Sequence, residues 1–202
     1  MSTITKQLLQ QGVTYNEYQR IIDSLLKENK TTGLTQTQEY VNYTKLNVYR
    51  MHRIDIKLKL LDVLIDRLYK LQNNYTWLVI AEAWCGDAAQ NVPILAKMSY
   101  VTSHIDFKII LRDEHPEVMQ HYTTNGSMSI PKLICLKTET LEEVFIWGPR
   151  PASAAKIITD NKISPEPLDK NSLHEKLHLW YAQNKYMETQ QELLLLIEEH
   201  LA

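Results

Sequence analysis

Cys85 stands in the run Trp84-Cys85-Gly86-Asp87-Ala88, between the apolar stretch Trp77-Leu78-Val79-Ile80-Ala81 and a stretch with helical spacing through Val92, Leu95, Ala96 and Met98. That order reads as strand, tight turn, helix. A cysteine at a helix start faces unpaired backbone N–H groups and the positive end of the macrodipole, and both favour the nucleophilic thiolate. A redox dithiol would carry its second sulfur three positions on, but position 88 is alanine. What remains open to one thiol is a mixed disulfide or oxidation to a sulfenic acid. Two acids bear on that chemistry. Asp87 can cap helix N–H groups, yet it sets a negative charge within one turn of the sulfur. Glu82, ending the strand at the same edge, adds to the negative field.

Other chemistry-bearing residues read more plainly. Cys135 lies inside an apolar strand between Ile134 and Leu136, and is expected as a buried, inert core thiol. His174 and His178 share a helix face at i, i+4, but no carboxylate or cysteine completes a metal site nearby, so they are expected as ordinary helix residues and no metal is expected. Trp180 and Tyr181 read as packing residues of the same helix. Arg112 and Asp113 follow a strand, where α/β folds place ligands, although Asp113 also suits a helix start. There is no Gly-rich phosphate loop, Gly-x-Ser-x-Gly elbow or His-Glu-x-x-His motif, which leaves thiol chemistry as the enzymatic option.

The elements that must position Cys85 follow from hydrophobic spacing. Apolar residues at Ile4, Leu8, Leu9, then Tyr15, Tyr18, Ile21, Ile22, Leu25 and Leu26 predict N-terminal helices broken at Gly12 and Gly33. The stretch from about Thr37 to Leu71 predicts one long helix. Beyond the Cys85 helix, Ile105 to Leu111 reads as an interior strand, Pro116 to Met119 as a short helix, and Pro131 to Leu136 and Leu141 to Trp147 as an antiparallel hairpin. Ala152 to Ile158 reads as a small helix, Ser164 to Pro167 as a connector, and 171 to 201 as helical.

A chain of 202 residues can bury a sizeable core without disulfide staples. Its formal net charge of −2 gives no general attraction to nucleic acid, and no apolar stretch approaches the roughly 20 residues of a membrane span. The first residues lack a basic segment followed by an apolar core, so the cytoplasm is the expected compartment, with both cysteines reduced.

Three ordered features resemble the thioredoxin superfamily: the apolar strand running into Trp84-Cys85-Gly86, the Ile130-Pro131 pair opening a later strand, and Gly148 after the hairpin. Together with Leu111-Arg112-Asp113, Asn125-Gly126-Ser127 and Trp147-Gly148-Pro149-Arg150, they look like a bacterial thioredoxin-like family with the same single-cysteine turn. The resemblance implies an α/β thioredoxin-like fold, a mixed sheet flanked by helices. It spans a core at 77–160, with helical extensions at 1–76 and 161–202. It further implies a cis Ile130-Pro131 bond beside Cys85, and Arg150 in a loop near the turn, able to pair with Asp87 or Glu82 or to bind a carboxylate. Where thioredoxins keep a buried acid in the strand before the turn, this chain has Val79, so the machinery that serves a resolving thiol is lost together with that thiol.

The resulting expectation is monothiol redox chemistry. Cys85 would form mixed disulfides with glutathione, a co-substrate rather than a bound cofactor, or with client thiols, and Trp84, Ile130, Pro131 and Arg150 would shape the site. The competing expectation is a non-catalytic module that uses the groove beside Pro131 for a protein partner. A buried thiol, or one with a pKa near 8.5 or above, favours the latter. If the segment from Thr37 to Leu71 packs across the turn, small thiols are favoured over large clients.

Overall fold

The computed structural model describes residues 3–201; Met1, Ser2 and Ala202, at the outer ends of the expected extensions, lie outside the described residues. Four strands, β1 (Tyr75–Ala81), β2 (Ile105–Leu111), β3 (Lys132–Lys137) and β4 (Glu143–Trp147), form one sheet in the order β2-β1-β3-β4. β2 runs parallel to β1, while β1/β3 and β3/β4 are antiparallel. All seven residues of β1 are buried, as a continuous apolar run covered on both faces requires. The chain therefore adopts the expected α/β fold, a mixed sheet flanked by helices.

Nine α-helices surround the sheet among the described residues: α1 (Lys6–Gln11), α2 (Tyr15–Lys27), α3 (Gln38–Lys57), α4 (Asp62–Tyr69), α5 (Gly86–Ser99), α6 (Pro116–Met119), α7 (Ala152–Ile163), α8 (Lys170–Asn184) and α9 (Met187–His200). Side-chain caps start several of them. Thr14 and Glu17 form a capping box on α2, Thr37 caps α3 and Asp169 caps α8.

Three boundaries differ from the sequence expectation. The long helix from Thr37 to Leu71 is two helices, parted at Leu58 to Leu61, where the backbone is extended. Distant side chains satisfy the freed backbone groups: Lys97 Nζ donates to Leu58 O at 2.6 Å, and Leu61 N donates to Gln190 Oε1 at 2.9 Å. The C-terminal helical stretch is broken at Lys185 and Tyr186, both left-handed, with φ of 51° and 69°. β4 starts at Glu143 because Leu141, at φ 60°, belongs to the turn.

Candidate functional site

The end of β1 delivers the Cys turn, and α5 begins at Gly86 with Cys85 as its N-cap. The sulfur accepts the Ala88 N–H at 3.5 Å, and the thiol donates to Ile130 O at 3.2 Å. The Ile130-Pro131 bond is cis. Cys85 is 8% exposed. Burial pushes its pKa up to about 12, helped by the charge of Asp87; the N–H groups of Ala88 and Asp87, and the Arg150 guanidinium, pull the other way without prevailing. The activated thiolate expected from a helix start is thus not what these surroundings favour. Desolvation outweighs the dipole when the turn is covered.

The cover is α8. A Cβ on Gly86 would stand 2.9 Å from His178 Cε1, so the helix lies directly on the turn. Tyr181, on the same helix, donates its hydroxyl to Asp87 Oδ1 at 2.7 Å, and Arg150 donates Nε to Asp87 Oδ2 at 3.0 Å with a second bond from Nη2. Asn91 Nδ2 bonds Asp87 O at 2.9 Å and the Tyr181 hydroxyl at 3.0 Å, and the Thr189 hydroxyl donates to Asn91 Oδ1 at 2.9 Å. Asp87, 7% exposed, has both carboxyl oxygens met by this network. Arg150 pairs with Asp87, one of its two expected partners, and not with Glu82. Tyr181 packs against Trp180 and Leu177 as expected, and its hydroxyl adds the bond to Asp87.

Glu82 is fully buried on the side facing Gly33 and Asp113 and does not line the cleft described below. Its Oε1 accepts the Asp113 N–H at 3.0 Å, and the neighbouring Thr32 hydroxyl also favours its ionised form. Burial raises its pKa from 4.5 to about 7. Expected as an addition to the field on Cys85, it is instead a desolvated acid whose nearest polar neighbours are Thr32, Asp113 and Arg112. Arg112 pairs with Asp113 at 2.8 Å and lies 4.7 Å over the Trp84 ring.

Between α3, α7 and α8 a cleft of about 830 Å³ opens onto the Cys turn. Trp84, Cys85 and Gly86 form its floor. Tyr40, Tyr43, Asn47 and Arg50 wall it from α3, and Leu177, His174 and His178 from α8; Arg150 also borders it. Tyr40 packs on Trp84 with ring centroids 4.8 Å apart. Asn47, fully buried, donates to Ala83 O at 2.8 Å and accepts from Arg50 Nη1 at 2.8 Å, tying α3 to the turn. Ile130 and Pro131 are buried and take no part in the cleft wall. The backbone expected to pair with an extended client is therefore covered, and the Ile130 carbonyl is already engaged by Cys85.

Sequence reasoning missed the α3 residues, whose signal was a 3-4-3 spacing of Tyr40, Tyr43, Asn47 and Arg50 on one helix face. It set aside His174 and His178, which face the cleft. Among the described residues no group of three or more His, Cys, Asp or Glu could hold a metal ion, and no helix is long and apolar enough to cross a membrane. Cys135 is fully buried opposite Trp77 and Phe145 in the sheet, and both cysteines are free.

A family model described as thioredoxin matches residues 33–162. Among solved structures, a protein of unknown function from Pseudomonas aeruginosa is similar with a TM-score of 0.57 and 17% identity, covering 93% of this chain and 98% of that one. An HIV epitope-scaffold is similar with a TM-score of 0.56 and 17% identity, covering 93% and 99%. At that identity the likeness speaks for the fold alone. No curated protein matches.

Proposed function

This chain belongs to the thioredoxin family, and from that premise we propose that it is a small-molecule-binding member, which takes its ligand in the cleft over the Cys turn and holds Cys85 at rest as a neutral thiol. The observation that carries this reading is the state of the sulfur: 8% exposed, donating to Ile130 O, with burial pushing its pKa up to about 12. At neutral pH such a thiol is almost wholly protonated and a poor nucleophile. α8 lies on the turn and Pro131 is buried, which argues for a ligand that fits the cleft rather than a docked protein client.

The second reading is monothiol exchange, favoured by the position of Cys85 on the cleft floor, where a small disulfide could meet it. The Cys85 thiolate would attack one sulfur of oxidised glutathione, forming a protein–glutathione disulfide and releasing the other half as a thiolate that takes up a proton. With alanine at position 88, a second external thiol would be needed to release it.

The pH dependence of Cys85 alkylation, followed by mass spectrometry with Cys135 as internal control, separates the two. The binding reading expects both cysteines to stay largely unmodified up to about pH 9 in the folded protein. An apparent Cys85 pKa below about 7.5, with Cys135 silent, overturns it in favour of exchange.

A further inference from the structure

The charges around the cleft are paired with one exception on its inner walls. Arg150 is matched by Asp87, and Lys170 by Glu39 at 3.1 Å. Glu175 borders the cleft but is exposed, where water and salt screen it. Arg50 is half-buried, bonds only the neutral Asn47, and makes no ion pair among the described residues. Burial and the neighbouring Arg53 work against its charge, and the one opposing influence is the more distant Asp87, already engaged by Arg150. Nor is it placed at random. Its Nη1 lies 3.7 Å from where a Cβ on Gly86 would stand, beside Cys85, and the fully buried Asn47 holds it there against the Ala83 carbonyl.

Two further polar atoms at the cleft lack partners although no solvent reaches them: Trp84 Nε1, a donor, and His178 Nδ1. Burial holds both histidines low, His178 at about 4, so at pH 7 they are neutral and add no positive charge. The inner wall therefore offers one cation that makes no ion pair among the described residues. Tyr40, Tyr43 and Trp84 on one side and Leu173 and Leu177 on the other supply an aromatic and apolar lining for the rest of a ligand. The volume of about 830 Å³ falls in the range of small-molecule sites.

Resting on the cleft reading above, we propose that Arg50 is a carboxylate subsite and that the ligand class is a small organic monoanion with a flat, apolar body held between the aromatic wall of α3 and Leu177. A planar guanidinium pairs two N–H groups with two carboxylate oxygens, and the pairing strengthens where water is excluded. A doubly charged phosphate would be left with a second, unmatched charge.

The test is calorimetric titration with 2-naphthoate, its neutral amide 2-naphthamide, and inorganic phosphate. Wild type is expected to bind naphthoate at least about tenfold more tightly than naphthamide. Arg50→Gln is expected to erase that difference without weakening naphthamide, while Lys45→Gln, on the exposed face of α3, keeps it. Thermal melting of Arg50→Gln is expected to stay within a few degrees of wild type, because the replaced charge makes no ion pair and is opposed by burial and Arg53. Equal binding of naphthoate and naphthamide to wild type overturns the Arg50 subsite and leaves the cleft reading standing. Failure of both to bind overturns the two together. Phosphate binding more tightly than naphthoate overturns the monocarboxylate assignment.

Discussion

Two acids sit five residues apart at one edge of the sheet, and their surroundings treat them differently. Asp87 takes a hydroxyl and two guanidinium donors, so its charge is met. Glu82 has the Asp113 N–H and the Thr32 hydroxyl but no cation paired to it, and burial raises its pKa from 4.5 to about 7. A carboxyl raised in the folded state binds its proton more tightly there than in the unfolded chain. The stability it contributes is fully present below about pH 4.5 and is lost as pH rises through about 7. The difference in pKa corresponds to about 3 kcal/mol at most. Glu82→Gln keeps the acceptor for Asp113 N–H and removes the titration. Urea unfolding at pH 5 and pH 8 should show the variant gaining up to about 3 kcal/mol on wild type between the two, the comparison cancelling the opposite contribution of His178. Parallel pH profiles would show that Glu82 stays ionised across the range. Sequence places both acids beside Cys85; which of them finds a cation depends on loops and helices 60 and more residues away, as Arg150 and Tyr181 show.

At the scale of elements, what the sequence makes legible is what local pattern controls. β1 is an unbroken apolar run, α5 follows it at once, and the hairpin is joined by a short polar turn, so the strand, Cys turn and helix that present Cys85 can be read directly. Breaks governed by remote donors cannot. The Leu58 to Leu61 interruption keeps helical spacing on both sides, and its hydrogen bonds come from Lys97 and Gln190. The α8–α9 corner is similar, since Lys185 and Tyr186 adopt left-handed backbone although neither is a residue type that signals it. That corner joins α8, which lies on the Cys turn, to α9. Lys185 is exposed, its N–H bonds Tyr181 O, and it occupies the position after the helix where glycine is favoured. Lys185→Gly should therefore raise stability by about 0.5–1 kcal/mol, read as a higher denaturant midpoint at unchanged slope. A loss of stability would mean that the aliphatic stem of Lys185 contributes packing that outweighs the strain.

At the scale of the molecule, the cleft belongs to no single segment: its floor is the Cys turn and its walls are α3, α7 and α8. The family match ends at residue 162, which invites the view that the last forty residues are an appendage. Packing argues otherwise. Leu193, Ile197 and Leu201 of the C-terminal segment are within 4% of full burial and join the same core as Ile4, Leu8 and the apolar residues of β1. Glu192 reaches across to accept from Trp147 Nε1 and from the Ala152 N–H, capping α7 from another helix. Each of those three apolar side chains is worth roughly 1.5–3 kcal/mol when fully buried. Their joint loss is comparable with the whole stability of an ordinary domain, about 5–15 kcal/mol. A chain ending at Ser164 should consequently show no cooperative thermal transition, measured by circular dichroism against the full-length protein. A sharp transition within a few degrees of the full-length value would show instead that the sheet and its N-terminal helices carry the fold alone, with α8 serving only to roof the cleft. Such a truncated, folded protein would also uncover Cys85, so its alkylation rate would then report what the roof does to the thiol.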